Sequence, residues 1–257
     1  MLGSSAYLLV SHGSRDPRPQ IAMEHLAQLI ADRQTRAGGW HGSIKSPLVG
    51  TAVLELAPFP LHQQIQQFAD RAIEQGYEIL EIVPIFLLPG VHVMEDIPAE
   101  VQQAQQSLQT KITLVIRPHL GADPNLGKNL GKLLLNPVTP EVTAITTGRI
   151  LLSHGSRRPN SHQAVESIAD ALGALPAYWS VPPNLETQVI AQVKQGYQHI
   201  AILPYFLFEG GITDAIGQEV ERLKQQFPYV QFHLARSIGA TPALADLLLA
   251  RLMPIPH

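Results

Sequence analysis

Two histidines and a glutamate stand where short apolar runs end: His12 in Ser11-His-Gly-Ser-Arg15, Glu55 in Val53-Leu-Glu-Leu56, and His92 in Pro89-Gly-Val-His92. Imidazole suits Fe, Co, Ni and Zn, and a carboxylate adds charge, so the set fits a divalent first-row metal. A carboxylate in the apolar context of Glu55 would be desolvated without compensation unless it had a partner. Gly13 and Gly90 beside these residues read either as simple turn formers or as places where backbone approaches a ligand closely. A lone histidine is more often a surface or capping residue. His25, His62, His119, His162, His199, His233 and His257 keep that reading, and His41, within Gly38-Gly-Trp-His-Gly42, stays open.

The elements that would position the set alternate in type. Tyr7–Val10 reads as a buried strand, and Pro17–Ala37 as a helix with Asp16 as N-cap and Pro17 in the first turn. Val49–Leu56, Ile79–Phe86 and Ile112–Ile116 read as strands, and Leu61–Gln75, Glu95–Leu108 and Asn125–Leu135 as helices. The order βαβαβαβα implies a parallel sheet with right-handed crossovers. In such sheets ligands bind beyond the carboxyl ends of the strands. His12, Glu55 and His92 are therefore expected to converge.

The chain is also written twice. Tyr7-Leu-Leu-Val-Ser-His-Gly-Ser-Arg-Asp-Pro17 returns as Arg149-Ile-Leu-Leu-Ser-His-Gly-Ser-Arg-Arg-Pro159. Ile82-Val-Pro-Ile-Phe-Leu-Leu-Pro-Gly90 returns as Ile202-Leu-Pro-Tyr-Phe-Leu-Phe-Glu-Gly210, and Leu120-Gly-Ala-Asp-Pro-Asn-Leu126 as Ile238-Gly-Ala-Thr-Pro-Ala-Leu244. The spacing shrinks by 22 residues between the first and second motifs, so the second copy is trimmed. Asn136-Pro-Val-Thr-Pro140 and Thr146-Thr-Gly148 read as a linker, which divides the chain into lobes 1–143 and 144–257. His154 repeats His12, but the position matching Glu55 falls near Trp179, and Gly210-Gly-Ile-Thr-Asp214 has no histidine. The second lobe is thus expected to be degenerate, with Arg157, Arg158 and Tyr205 free to contact ligand.

Composition narrows the field further. With no cysteine, thiolate zinc sites, disulfides, cysteine nucleophiles and protein-held iron–sulfur clusters are excluded. The net charge of −3 gives no footprint for nucleic acid. No apolar run is long enough for a membrane span, and the N-terminus lacks the cationic region of a signal peptide, so a cytoplasmic protein is expected. Gly121 to Lys128 departs from a phosphate-binding loop, having five residues between its glycines and Asn129 where Ser or Thr would hold Mg²⁺.

Ser11-His-Gly-Ser-Arg15, Glu55 ahead of Ala57-Pro58, and Val83-Pro-Ile-Phe-Leu-Leu-Pro-Gly-Val-His92 followed by Asp96-Ile97 together resemble the CbiX/SirB sirohydrochlorin chelatases, class II chelatases, in their two-domain long form. The resemblance covers essentially the whole chain. It implies two homologous three-layer αβα lobes, each with a mainly parallel sheet, facing across a cleft. It also implies ATP-independent insertion of Fe²⁺, or alternatively Co²⁺, into sirohydrochlorin for siroheme or cobalamin synthesis, the metal being substrate and no prosthetic group being needed. By position, His12 would be metal ligand and proton acceptor, His92 the second ligand, and Glu55 the carboxylate near metal and macrocycle. Ser11, Gly13, Ser14 and Arg15, with the loop Leu87, Leu88, Pro89, Gly90 and Val91, would line the tetrapyrrole. Unlike some long-form members, this chain has no histidine-rich stretch or cysteine cluster near its C-terminus.

That chemistry accounts for the residue types. Metallation exchanges two pyrrole N–H protons for one dication, and imidazole can both carry the metal and take protons. Arg15, Arg18, Arg157 and Arg158 are candidates for the macrocycle's carboxylates, or ordinary surface charge. The partners expected are sirohydrochlorin and a divalent metal, with neither nucleic acid nor membrane, and a monomer made by internal duplication. Two rivals remain: a non-catalytic metal or tetrapyrrole carrier, and below it a histidine phosphatase-like hydrolase, which would want Arg where Ser11 and Ser153 stand.

Overall fold

The computed structural model describes residues 5–37, 48–123, 126, 147–158 and 162–252. His41, His257, the helix expected over 125–135 apart from Leu126, and the boundary near Ala144 lie outside them. Two compact units result, one of residues 1–123 with 240–257, the other of residues 124–239.

In the first unit β1 (Ser5–Ser11), β2 (Val49–Val53), β3 (Ile79–Pro84) and β4 (Thr113–Ile116) form one parallel sheet in the order β2-β1-β3-β4. Alternate residues of β1 explain its two covered faces. Ala6, Leu8 and Val10 enter a core with Leu61, Ile65 and Phe68 of α2 (Leu61–Glu74) and Ile97, Val101 and Ala104 of α3 (Ile97–Leu108). On the other side lies α1 (Pro17–Ala37), which buries Met23, Leu26 and Ile30. Asp16 caps α1 as expected, its carboxylate accepting from the Arg18 amide at 2.9 Å.

The second unit repeats this plan with β5 (Gly148–Ser153), α4 (Gln163–Leu172), β6 (Leu175–Tyr178), α5 (Leu185–Lys194), β7 (His199–Pro204), α6 (Gly211–Gln226) and β8 (Gln231–Leu234). Its parallel sheet runs β6-β5-β7-β8, the same order position for position. The duplication read from sequence is therefore a duplication of topology. Among the described residues no helix is long and apolar enough to cross a membrane.

The chain's last helix, α7 (Pro242–Leu252), departs from the simple halving of the sequence. It follows β8 along the chain, yet residues 240–257 fall with the first unit. Leu244, Leu248 and Leu252, spaced by four, form one buried face. Polar ties fix the helix against α1 and the end of β4. Arg33 meets Asp246 at 2.5 Å, and Arg251 donates to the carbonyls of Pro118, His119 and Leu120 at 2.9, 3.1 and 3.3 Å.

Candidate metal centre

The sheet order decides where a crevice opens. From β1 the chain leaves toward β2 and from β3 it leaves toward β4, in opposite directions, so the loops part above the carboxyl ends of these adjacent strands. His12 follows β1, His92 follows β3, and Glu55 follows β2. Their ligand atoms all lie within 4.8 Å of one another. The two imidazole rings meet edge to face, with centroids 4.6 Å apart and planes at 87°. His12 and Glu55 are exposed and His92 is half-buried, so the site is open to an incoming metal. Such an open set suits an ion that must be released again.

Backbone hydrogen bonds place two of the three. Beyond the last ladder residues, the Leu54 amide donates to the Ser11 carbonyl and the Glu55 amide to the His12 carbonyl, both at 2.9 Å. These bonds hold His12 and Glu55 side by side. Gly13 sustains the approach with φ +102°, and a Cβ there would lie 2.1 Å from the Glu55 carbonyl oxygen. Of the two glycine readings, close backbone approach thus holds at Gly13, and the backbone it meets is the protein's own. At Gly90 a Cβ would meet no atom of the protein within 4 Å, so the protein's own packing does not require a glycine there.

His92 sits in an unusual turn. Residues His92–Asp96 form one π turn, closed by the Ile97 amide donating to the His92 carbonyl, and α3 begins only at Ile97. The helix expected from Glu95 thus has an irregular start. Asp96 accepts from His92 Nδ1 at 2.7 Å. Asp96 was legible as part of a motif, but its contact with His92 was not foreseen.

The β2–α2 loop and the π turn expose Leu56, Phe59 and Met94, at 60, 51 and 66% of their surface. Leu56 adopts φ +62°, a region costly for a residue with a Cβ, directly after Glu55. Large apolar side chains left in water, in the same loop as Glu55 and the same turn as His92, offer a surface that an apolar ligand can cover. Leu87–Val91, expected to line the tetrapyrrole, lie in the loop between β3 and this turn.

One expectation is corrected. Tyr205 is not free for ligand: its amide bonds Leu152 as that of Ile85 bonds Val10, and like Ile85 it is buried, which pushes its phenol pKa well up. The residue matching Glu55 is Ser180, next to Trp179 as expected, since the Ser180 amide donates to the His154 carbonyl and that of Trp179 to the Ser153 carbonyl. Arg18 is clamped on Asp16 through Nε and Nη2, and Arg18 in turn holds the Asp16 carboxyl below its ordinary value. Arg15, Arg157 and Arg158 are exposed. His62 bonds Glu100 at 2.9 Å and His162 stacks on Tyr178 at 4.0 Å, which accounts for both by packing.

A cavity of about 170 Å³ lies elsewhere in the first unit, lined by Val83, Arg117, Pro118, Leu248, Arg251 and Leu252. Its guanidinium groups are already engaged. Arg117 pairs with the buried Glu81 at 2.6 Å, and Arg251 holds the three carbonyls that dock α7.

The sequence matches the model of the CbiX family twice, over residues 6–135 and 148–254. It is 29% identical over 255 residues to the sirohydrochlorin cobaltochelatase of Priestia megaterium, covering 95% of this chain and 78% of that protein. To the sirohydrochlorin ferrochelatase of the same organism it is 28% identical, covering 95% and 87%. The structure of SirB from Bacillus subtilis with Fe3+ shares the fold, with a TM-score of 0.72 at 23% identity over 97% of this chain and 94% of that one.

Proposed function

The chain belongs to the CbiX family, and from that premise we propose that it inserts a divalent metal, Fe²⁺ first and Co²⁺ second, into sirohydrochlorin without ATP. The observation that carries the proposal is the convergence of His12, Glu55 and His92 within 4.8 Å at three strand ends. The reaction takes up one dication and releases the two pyrrole N–H protons of the macrocycle.

His12 and His92 hold the incoming metal through imidazole nitrogen, and Glu55 lowers the electrostatic cost of bringing a dication beside the ring. As the metal passes to the macrocycle, an imidazole lone pair is released and can take a pyrrole proton, His12 being assigned that task. Leu56, Phe59 and Met94, with the loop Leu87–Val91, supply the apolar surface for the ring. Ser11, Gly13, Ser14 and Arg15 face it from the β1 loop.

The metal preference is the finer part of the proposal. An imidazole and carboxylate set discriminates little between neighbours in the Irving–Williams order. The experiment is anaerobic metallation of sirohydrochlorin by the purified protein, followed in the visible spectrum against the spontaneous rate. Acceleration supports a chelatase. Binding that shifts the free macrocycle's bands without acceleration would make the protein a carrier. Both metals at limiting concentration in one reaction decide the order of Fe²⁺ and Co²⁺.

A further inference from the structure

The two halves differ by one residue at the decisive turn. Gly90 matches Gly210 at a spacing of 120, whereas Ile97 matches Ile216 and Val101 matches Val220 at 119. The matched residues play matched parts: Ile97 and Ile216 are fully buried, as are Val101 and Val220 but for a few percent. Glu95-Asp96 in the first half thus stands where Ala215 alone stands in the second. The extra residue is absorbed by the π turn His92–Asp96, while α6 starts at Gly211 as a regular α-helix. A single-residue insertion is how π turns arise within helices, and they cluster at functional sites.

The insertion, the histidine and the carboxylate go together. The second half has Ile212 at the His92 position, Ala215 rather than an aspartate directly before Ile216, with Asp214 one residue further back, and no π turn. In the first half Asp96 Oδ2 lies 2.7 Å from His92 Nδ1. A carboxylate bonded to one imidazole nitrogen fixes the proton there and leaves the other nitrogen bare, with the ring orientation locked. The Asp96 side chain is 43% exposed and fills no core position, so packing does not account for it.

We propose that Asp96 is a positioning residue: it holds His92 as the Nδ1–H tautomer and presents Nε2 to the metal substrate. This rests on the reading of His92 as a metal ligand. Asp96 acts through His92 and touches neither metal nor macrocycle.

The test uses the full-length protein. Long-range ¹H–¹⁵N correlation spectra at pH 8 report the tautomer of His92, assigned by its loss in His92→Ala. The wild type should show Nδ1–H, Asp96→Ala should shift to Nε2–H, and Asp96→Asn, whose amide oxygen still accepts, should keep the wild-type tautomer. In Co²⁺ titrations without macrocycle, Asp96→Ala should bind roughly 10–100-fold more weakly, with most of the loss recovered in Asp96→Asn. Asp96→Ser, too short to reach the ring, serves in place of Asp96→Ala should that variant fold poorly. An unchanged tautomer in Asp96→Ala, or a changed tautomer with unaltered Co²⁺ affinity, overturns the proposal. Unaltered affinity in His92→Ala instead overturns the ligand reading and takes the positioning role with it.

Discussion

The Cα of Gly13 is pressed against the peptide carbonyl of Glu55, so that a Cβ there would come within 2.1 Å of the oxygen. One contact thereby joins the β1 loop, which carries His12, to the residue whose carboxylate lies with the two imidazoles.

Gly13→Ala is expected to destabilise the protein by about 2 kcal/mol or more, since it adds a positive-φ penalty to a backbone clash. At roughly 2–4 °C per kcal/mol for a chain of this size, the melting temperature should fall by about 4–8 °C. Gly90→Ala, with nothing within 4 Å, should melt like the wild type. Equal melting of all three proteins would show that the Gly13 contact is not tight in solution.

His12→Ala and His92→Ala should each retain the wild-type fold by circular dichroism and lose metallation acceleration on the order of 10²-fold. His154→Ala should stay within about twofold of the wild type, the range of a typical surface substitution. The second half has Ser180 and Ile212 where the first has Glu55 and His92, so His154 lacks the carboxylate and the imidazole that accompany His12. A loss in His154→Ala as large as that in His12→Ala would place chemistry in the second unit.

Arg251→Ala should cost about 2 kcal/mol, because the Pro118, His119 and Leu120 carbonyls lose a charged donor. Amide hydrogen exchange should then accelerate first in residues 242–252, where α7 is tied to the first unit. Exchange that accelerates uniformly instead would mean that α7 does not open separately.

Burial, reinforced by the nearby Arg251 charge, holds His119 below its ordinary value of 6.5. The folded state therefore disfavours the imidazolium, and unfolding below that pH takes up a proton. The resulting contribution is complete above pH 6.5 and is lost as the pH falls through the lowered folded value. Between pH 8 and pH 5.5 the melting temperature of the wild type should drop more than that of His119→Gln. A parallel drop in both proteins would remove His119 as a source of acid lability.

Among the described residues of the first half, the sequence alone determined which segments are strands and which are helices, with ends within three residues, and it determined the repeat, because buried parallel strands and amphipathic helices are written in local apolar patterns. α1 was read residue for residue as Pro17–Ala37. Placing His12, Glu55 and His92 together needed only the rule that loops after parallel strands share one edge of the sheet. Tertiary structure decided what depends on distant partners. The burial of Tyr205 follows from its register beside β5, and the match of Ser180 to Glu55 from a hydrogen bond to His154. Docking of α7 onto the first unit rests on contacts with residues more than a hundred positions earlier, which no local pattern encodes. Asp96 lay in plain view in the sequence, but only the inserted residue coiled into a π turn showed that its carboxylate stands behind His92.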